Sequence, residues 1–256
     1  MDPLGNRMII LKSKEEVGKI TSASRIVAEA LQALKDFIEP GMTTQELDLF
    51  VEKKIREKGG IPAFKGYRNF PATLCISINE EVVHGIPSAE RVIRVGDIVG
   101  LDLGAIYDGF YGDSAITVAI GEVSPEAKRL IQVTEESLLA GIDRAREGNR
   151  LSDISHAVQS HVERAGYTVV TDFVGHGIGR SLHEEPQVPN FGPPGRGPRL
   201  REGMVLAIEP MVNMGKSDVR VLEDRWTAVT SDGSLSAHFE HTVAITKEGP
   251  VILSKV

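Results

Sequence analysis

Cysteine is nearly missing from this sequence. Cys75 is the only one in 256 residues, which excludes an intramolecular disulfide and suits a reducing cytoplasm. No stretch approaches the ~18 uncharged apolar residues of a membrane span. Met1 to Ile20 lacks the basic start and apolar block of a secretory signal, so none is expected. A basic surplus is lacking too: 29 Lys and Arg face 36 Asp and Glu, a net charge of −7. That disfavours a general nucleic-acid binder, though not a local basic patch. Linkers, low-complexity tracts and heptad runs do not occur. What is present is ordinary in bulk, 41% hydrophobic and 25% charged, enough for a sizeable core in one domain or two fused half-domains.

Residues 1–8 read as a polar tail carrying Pro3 and Gly5, with Met1 and Met8 both eligible as starts. Ser13 with Glu16 forms a capping box, and Val17, Ile20, Val27, Leu31, Leu34 and Ile38 then recur at helical spacing up to Pro40-Gly41. Thr43 with Glu46 opens a shorter helix that Gly59-Gly60 ends. Strands are expected over Thr73–Ile78, Asp97–Tyr107 and Phe110–Ile120. The order then repeats. Ser124-Pro125-Glu126 opens a helix to about Arg146, Ser152 caps a shorter one ended by Gly166, and strands follow over Tyr167–Val174, Met204–Val212, Trp226–Thr230 and His238–Thr246. Pro189 to Arg201 reads as a surface loop.

Chemistry shows where acids interrupt apolar strands. Asp102 sits inside Ile98-Val99-Gly100-Leu101-Asp102-Leu103-Gly104-Ala105-Ile106. A carboxylate buried there costs roughly several kcal/mol unless it meets a cation. A two-residue turn at Asp108-Gly109 sets Asp113 opposite Gly104, diagonal to Asp102 on one face, ~7 Å apart at the backbone. The competing reading is two exposed acids on a solvated face, and the apolar flanks weigh against it. His176 stands between Gly175 and Gly177, which leave its imidazole unshielded, although a lone histidine is more often structural. Glu209 ends the apolar run Val205-Leu206-Ala207-Ile208, and Glu240 starts another before Thr242-Val243-Ala244-Ile245. Together these four acids and one histidine suggest an inward-facing metal cluster. Four carboxylates are balanced by two divalent ions, and the mixed oxygen and imidazole set suits transition metals better than calcium.

Six segments carry a resemblance: Asn79-Glu80-Glu81-Val82-Val83-His84-Gly85-Ile86-Pro87, Asp108-Gly109-Phe110-Tyr111-Gly112-Asp113, His176-Gly177-Ile178-Gly179-Arg180, His183-Glu184-Glu185-Pro186, Ile208-Glu209-Pro210-Met211-Val212 and Phe239-Glu240-His241-Thr242. In order and spacing the set resembles type I methionine aminopeptidases, from about Ile9 to Leu253. The resemblance implies an α+β pita-bread fold, residues 9–256 forming one catalytic domain whose pseudo-symmetric halves, about 9–121 and 122–256, clasp a dinuclear metal site. It implies Asp102, Asp113, His176, Glu209 and Glu240 as ligands of two divalent ions (Co, Mn, Fe, Zn or Ni), with Asp113 and Glu240 bridging. His84 and His183 become non-ligand histidines at the substrate, and Tyr67, Phe70, Cys75 and Trp226 fall near the methionine pocket. For Phe70 and Cys75 a plain core role competes. His183 and Glu209 are too close in sequence for the insertion of the type II branch. Phe64, Phe70 and Leu182 stand where some relatives carry other apolar or aromatic residues, which leaves the pocket's shape open.

The function expected is removal of the initiator methionine from nascent polypeptides whose second residue is small, by a cytoplasmic monomer. Glu209 is expected to move the water's proton, and His183 or His84 to polarise the scissile carbonyl. Nascent peptide N-termini are the expected partners. Transient ribosome association fits that substrate class, but no motif shows it, and no nucleic-acid or membrane partner is expected. Two rivals share the ligand types or the fold. Prolidase-type relatives usually carry an extra N-terminal domain, for which the residues before Thr73 are too few. Non-enzymatic pita-bread binding proteins typically lack the ligands.

Overall fold

The computed structural model describes residues 8–256, so the expected tail lies outside the described residues except for Met8, which is exposed. The first helix, α1 (Lys14–Phe37), starts at the Ser13–Glu16 capping box, and α2 (Thr44–Glu57) at the matching box of Thr43 and Glu46. Strands β1 (Ile61–Pro62), β2 (Leu74–Ile78), β3 (Glu81–Val83), β4 (Ile98–Tyr107) and β5 (Phe110–Ala119) follow. The second series is α3 (Pro125–Arg144), α4 (Leu151–Arg164), β6 (Thr168–Val169), β7 (Gly175–Gly177), β8 (Glu184–Val188), β9 (Val205–Ile208), β10 (Met211–Asn213), β11 (Val219–Val221), β12 (Ala228–Thr230), β13 (Ser236–His238), β14 (Glu240–Thr246) and β15 (Gly249–Ile252). Long helix, shorter helix and strands thus occur twice. Strands from both series share one nine-stranded sheet in the order β1-β4-β5-β14-β9-β7-β8, with β2 on β4 and β15 on β14. Two three-stranded sheets, β13-β10-β6 and β11-β12-β3, stand beside it.

Side-chain alternation divides the large sheet into two faces. Val99, Leu101, Leu103 and Ala105 of β4 point to the helix face and form a core with Ile26, Val27, Ala30, Leu31 and Leu34 of α1. Gly112 of β5 is on that face as well, and a methyl group there would collide with the α1 backbone at Ser24. In the second series Leu206, Ile208, Val243 and Ile245 pack with Leu138 and Ile142 of α3 and Leu151 and Ile154 of α4. The helices therefore cover one face from both series, and the residues between these apolar positions belong to the other.

Three expectations need correction. The helix expected to be capped by Ser152 starts at Leu151 with Arg150 as its cap, and the Arg150 N–H donates to Asp153 at 2.7 Å. The Ser152 hydroxyl instead accepts the Arg196 N–H, at 2.7 Å, from the loop that follows Pro189. The expected strands Met204–Val212 and His238–Thr246 are each interrupted. β9 and β14 belong to the large sheet, whereas β10 and β13 pair with each other in a small one. The chain changes sheets at Glu209-Pro210 and at Phe239. Of the expected strand Tyr167–Val174 only Thr168–Val169 pairs, with Val212 and Asn213 of β10.

Candidate metal centre and substrate pocket

Register alone brings the acids together. Asp102 of β4 lies opposite Ala115 of β5, and Ala115 opposite Glu240 of β14. Asp113 stands opposite Gly104, two residues from Ala115, so it shares the face of Asp102 and Glu240. His176 of β7 lies opposite Ala207 of β9, and Ala207 opposite Thr242 of β14, two residues from Glu240. Glu209 is two residues past Ala207. Cys75 of β2 is opposite Asp102. All six residues thus fall on the face that the helices leave open.

Local devices hold these positions. The Asp113 N–H donates to Thr242 Oγ1 at 3.1 Å, and the Thr242 hydroxyl donates to the Asp113 carbonyl at 2.7 Å. Glycines flank His176 because a Cβ at 175 would strike the Ala207 carbonyl oxygen and one at 177 the Glu185 carbonyl oxygen. The side-chain amide of Asn190 donates to the Glu209 carbonyl at 3.0 Å, steadying the chain where it changes sheets.

Asp113, His176 and Glu240 each offer a ligand atom within 4.8 Å of the others. His176 Nε2 is 3.8 Å from Asp113 Oδ2 and 3.6 Å from Glu209 Oε1. His176 Nδ1 lies 2.9 Å from the Gly177 carbonyl oxygen, which assigns the ring proton to Nδ1 and turns the Nε2 lone pair toward the acids. Asp102 Oδ1, Asp113 Oδ1 and Glu240 Oε1 are buried without a hydrogen-bond partner among the described residues. Burial pushes the Asp102 carboxyl up to about 7 against a bond from the Leu103 N–H. Burial, and then the neighbouring carboxylates, push Asp113, Glu209 and Glu240 well above the usual carboxylate range. The nearest basic groups, His176 and His238, are themselves held down to about 3 by burial. Negative charge collected in a dry site, with no protein cation among the described residues to balance it, needs a cation from outside. Carboxylate oxygens with one oriented imidazole fit a divalent metal ion.

One cavity of about 140 Å³ is lined by all five of these residues together with His84, His183, Tyr67, Phe70, Cys75 and Trp226, and also by Phe64, Arg68 and Leu182. His84 has a left-handed backbone (φ 62) and stands edge-on to Phe173 and Trp226, with ring centroids 5.4 and 6.1 Å away. The adjoining Gly85 lies so close to the Ile76 carbonyl that no Cβ fits there. Burial holds the His84 imidazole down to about 4. His183 is 4.2 Å from His176 between ring centroids, and its Nδ1 is 2.8 Å from the Tyr67 hydroxyl. Partial burial of the imidazole, whose residue is otherwise exposed, and then the Arg68 charge hold His183 down to about 4. Its loop is tied down by Glu184, which accepts the N–H groups of Arg180 and Ser181 at 2.8 and 3.2 Å and pairs with the buried Lys12 ammonium at 2.6 Å. Phe70 meets Trp226 edge-on at 5.1 Å. The Cys75 thiol is pushed up by burial and by Asp102.

Two residues at this site were not singled out in the sequence. Arg68 stands on the cavity wall. His238 is buried, its Nε2 unbonded and 3.7 Å from Glu209 Oε2. The only local hint for His238 is its position two residues before Glu240.

The sequence matches metallopeptidase family M24 over residues 18–247. It is 55% identical to the methionine aminopeptidase of Clostridium acetobutylicum over 247 residues, covering 96% of this chain and 99% of that protein. The crystal structure of methionine aminopeptidase from Thermotoga maritima superposes with a TM-score of 0.96 at 48% identity, over 97% of this chain and 100% of the other. Prolidase from Pyrococcus furiosus superposes with a TM-score of 0.78 at 25% identity, over 97% of this chain but only 66% of the prolidase.

Proposed function

The chain belongs to the methionine aminopeptidases of metallopeptidase family M24, hydrolases that act with a divalent metal, and we propose how its own residues divide the removal of an N-terminal methionine. The observation that carries this reading is the single sheet face on which Asp102, Asp113, His176, Glu209 and Glu240 converge at one end of an aromatic-lined cavity. These five would hold two divalent ions, the number that neutralises four carboxylates. When bound, the ions supply Lewis-acid polarisation and a water of lowered pKa.

Glu209 accepts the proton of the attacking water and returns it to the leaving amine. The Tyr67 hydroxyl donates to His183 Nδ1, which leaves the Nε2–H of His183 to donate to the scissile carbonyl as negative charge develops there. His84, neutral and fixed by its neighbours, orients the peptide from the facing wall. Tyr67, Phe70, Cys75 and Trp226 enclose the methionine side chain, whose flexible thioether gains from contact with ring edges. A small second residue fits the crowded floor beside the metal ligands. Among the described residues no helix is long and apolar enough to cross a membrane. We place the enzyme in the cytoplasm as a monomer that meets peptide N-termini as they leave the ribosome.

The test is metal reconstitution followed by a tripeptide panel. Two equivalents of Mn or Co should bind, and Met-Ala-Ser and its norleucine analogue should be cleaved. Leu-Ala-Ser should be poorer by roughly 10-fold or more, the discrimination an apolar pocket gives for a change of shape. Equal cleavage of Leu-Ala-Ser overturns the pocket assignment, and full activity without metal overturns the site.

A further inference from the structure

Of the described residues that line the cavity, only Arg68 and His183 are exposed, so these two mark its mouth. This inference rests on the aminopeptidase reading. An aminopeptidase holds the free amine of its substrate at the inner, metal end. The rest of the substrate must leave through the mouth, and residues beyond the scissile bond pass Arg68.

The chain fixes Arg68 there by an unusual turn. Arg68 and Asn69 both have left-handed backbones (φ 49 and 72) and follow Gly66 (φ 88). Side chains with a Cβ rarely adopt this conformation, and two in succession must be held by their surroundings. The Gly66 N–H donates to the Phe70 carbonyl at 2.8 Å, and the Phe70 N–H to the Tyr67 carbonyl at 2.9 Å. The result sends Phe70 and Tyr67 inward and Arg68 outward, its guanidinium 5.4 Å from the Tyr67 ring centre. Arg91 and Arg180 are paired with Glu81 and Glu16 at 2.7 and 3.2 Å, whereas among the described residues Arg68 pairs with no carboxylate.

We infer that Arg68 is a specificity-determining residue that reads the substrate beyond the scissile bond, favouring an acidic side chain at the third position and disfavouring a basic one. A guanidinium matches a carboxylate through two parallel N–H donors, and it repels an ammonium at the same place. The contact is at the surface, so it is modest and screened by salt.

The holoenzyme, loaded with Mn or Co, is assayed on C-terminally amidated Met-Ala-Glu-Ser, Met-Ala-Gln-Ser and Met-Ala-Lys-Ser, so that no terminal carboxylate competes. The wild type should rank Glu above Gln above Lys, by roughly two- to five-fold per step, mainly in KM, with the spread shrinking at high salt. Arg68→Gln should flatten the ranking and Arg68→Glu should reverse it. Cleavage of all three peptides by the wild type at equal rates overturns the inference alone. So does an Arg68→Glu enzyme that keeps the wild-type order. If the loaded wild type cleaves none of them, the aminopeptidase reading falls and this inference with it.

Discussion

The two series of elements build their shares of the site by different means. The first contributes Asp102 and Asp113 from one hairpin, β4–β5, which is paired without interruption from Ile98↔Ala119 to Tyr107↔Phe110. The second contributes His176, Glu209 and Glu240 from places where regular structure stops. His176 is the middle of a three-residue strand squeezed between glycines. Glu209 and Glu240 adjoin the two points where the chain passes between sheets. A hairpin fixes two acids relative to each other but has no freedom to aim them. The junctions bring His176, Glu209 and Glu240 onto the same open face of the sheet, and they depend on tight packing to stay there.

Metal removal should have the largest effect. Chelation should abolish peptide cleavage in full, because neither series alone compensates its acids. It should also leave a protein that loses stability as pH rises. Folding raises the Asp102 carboxyl from 3.8 to about 7 and holds Asp113, Glu209 and Glu240 well above their ordinary values. The lowered histidines are neutral in the folded protein and lose most of their protons in the unfolded chain by about pH 7.5, above which they drop out. Above that pH the folded, metal-free protein therefore holds more protons than the unfolded chain, and its stability falls as those protons leave. Urea midpoints at about pH 7.5 and pH 9, with and without chelator, should show this slope only in the stripped protein. A stripped protein that gains stability over this range would contradict the cluster's burial. Next in size, Asp113→Asn from the hairpin and Glu240→Gln from the junction should each reduce kcat/KM by more than the roughly 100-fold at which loss of a supporting partner tops out. Glu90→Gln, at an exposed position, should not. If only one of the pair matters, the two series do not share the ions.

The same contrast governs what could be read from the sequence. The hairpin was legible because a two-residue turn and period-2 alternation suffice to put Asp113 opposite Gly104. The helix caps Ser13, Thr43 and Ser124 were legible for a similar reason, each rule spanning a few residues. The acids of the second series stood out as charges in apolar runs, but their junctions did not. Met204–Val212 reads as one strand, with Pro210 the only local sign that pairing changes. At Phe239 no glycine or proline marks the passage. The cap at Ser152 failed because its hydroxyl is taken by Arg196, a partner 44 residues away. His238 and Arg68 escaped because their significance lies in what they face.

Glycine substitutions probe the junction more gently. Gly175→Ala and Gly177→Ala should each cost about 1–3 kcal/mol of stability, since the added methyl meets a carbonyl oxygen of a paired strand. They should also displace His176, so activity and metal affinity should fall together in calorimetric titration and peptide assay. Loss of stability with unchanged metal affinity would mean that the glycines serve packing alone. His238→Ala should be milder, lowering kcat by roughly 10-fold, because it leaves Glu209 Oε2 without the imidazole 3.7 Å away. His238→Gln, which keeps an N–H donor, should recover most of that loss. Equal values for the alanine and glutamine variants would remove His238 from any part in orienting Glu209.

The smallest effect belongs to the hairpin's own glycine. Asp108 and Gly109 both have left-handed backbones, φ 49 and 74, as a two-residue turn between twisted strands requires. A Cβ at Gly109 meets nothing within 4 Å, in contrast to positions 175 and 177. The whole penalty of Gly109→Ala is therefore conformational, about 1 kcal/mol. For a chain of this size that corresponds to a Tm lower by roughly 2–4 °C. The turn is strained but the register is not released, because the pairs from Ile98↔Ala119 to Ile106↔Tyr111 still hold the strands in place. Asp102 and Asp113 stay where they were, and kcat/KM for Met-Ala-Ser should change by less than about two-fold, within the scatter of surface substitutions. A drop in activity as large as that of Gly175→Ala would show that the hairpin is no firmer than the junctions, and the contrast between the two series would fail.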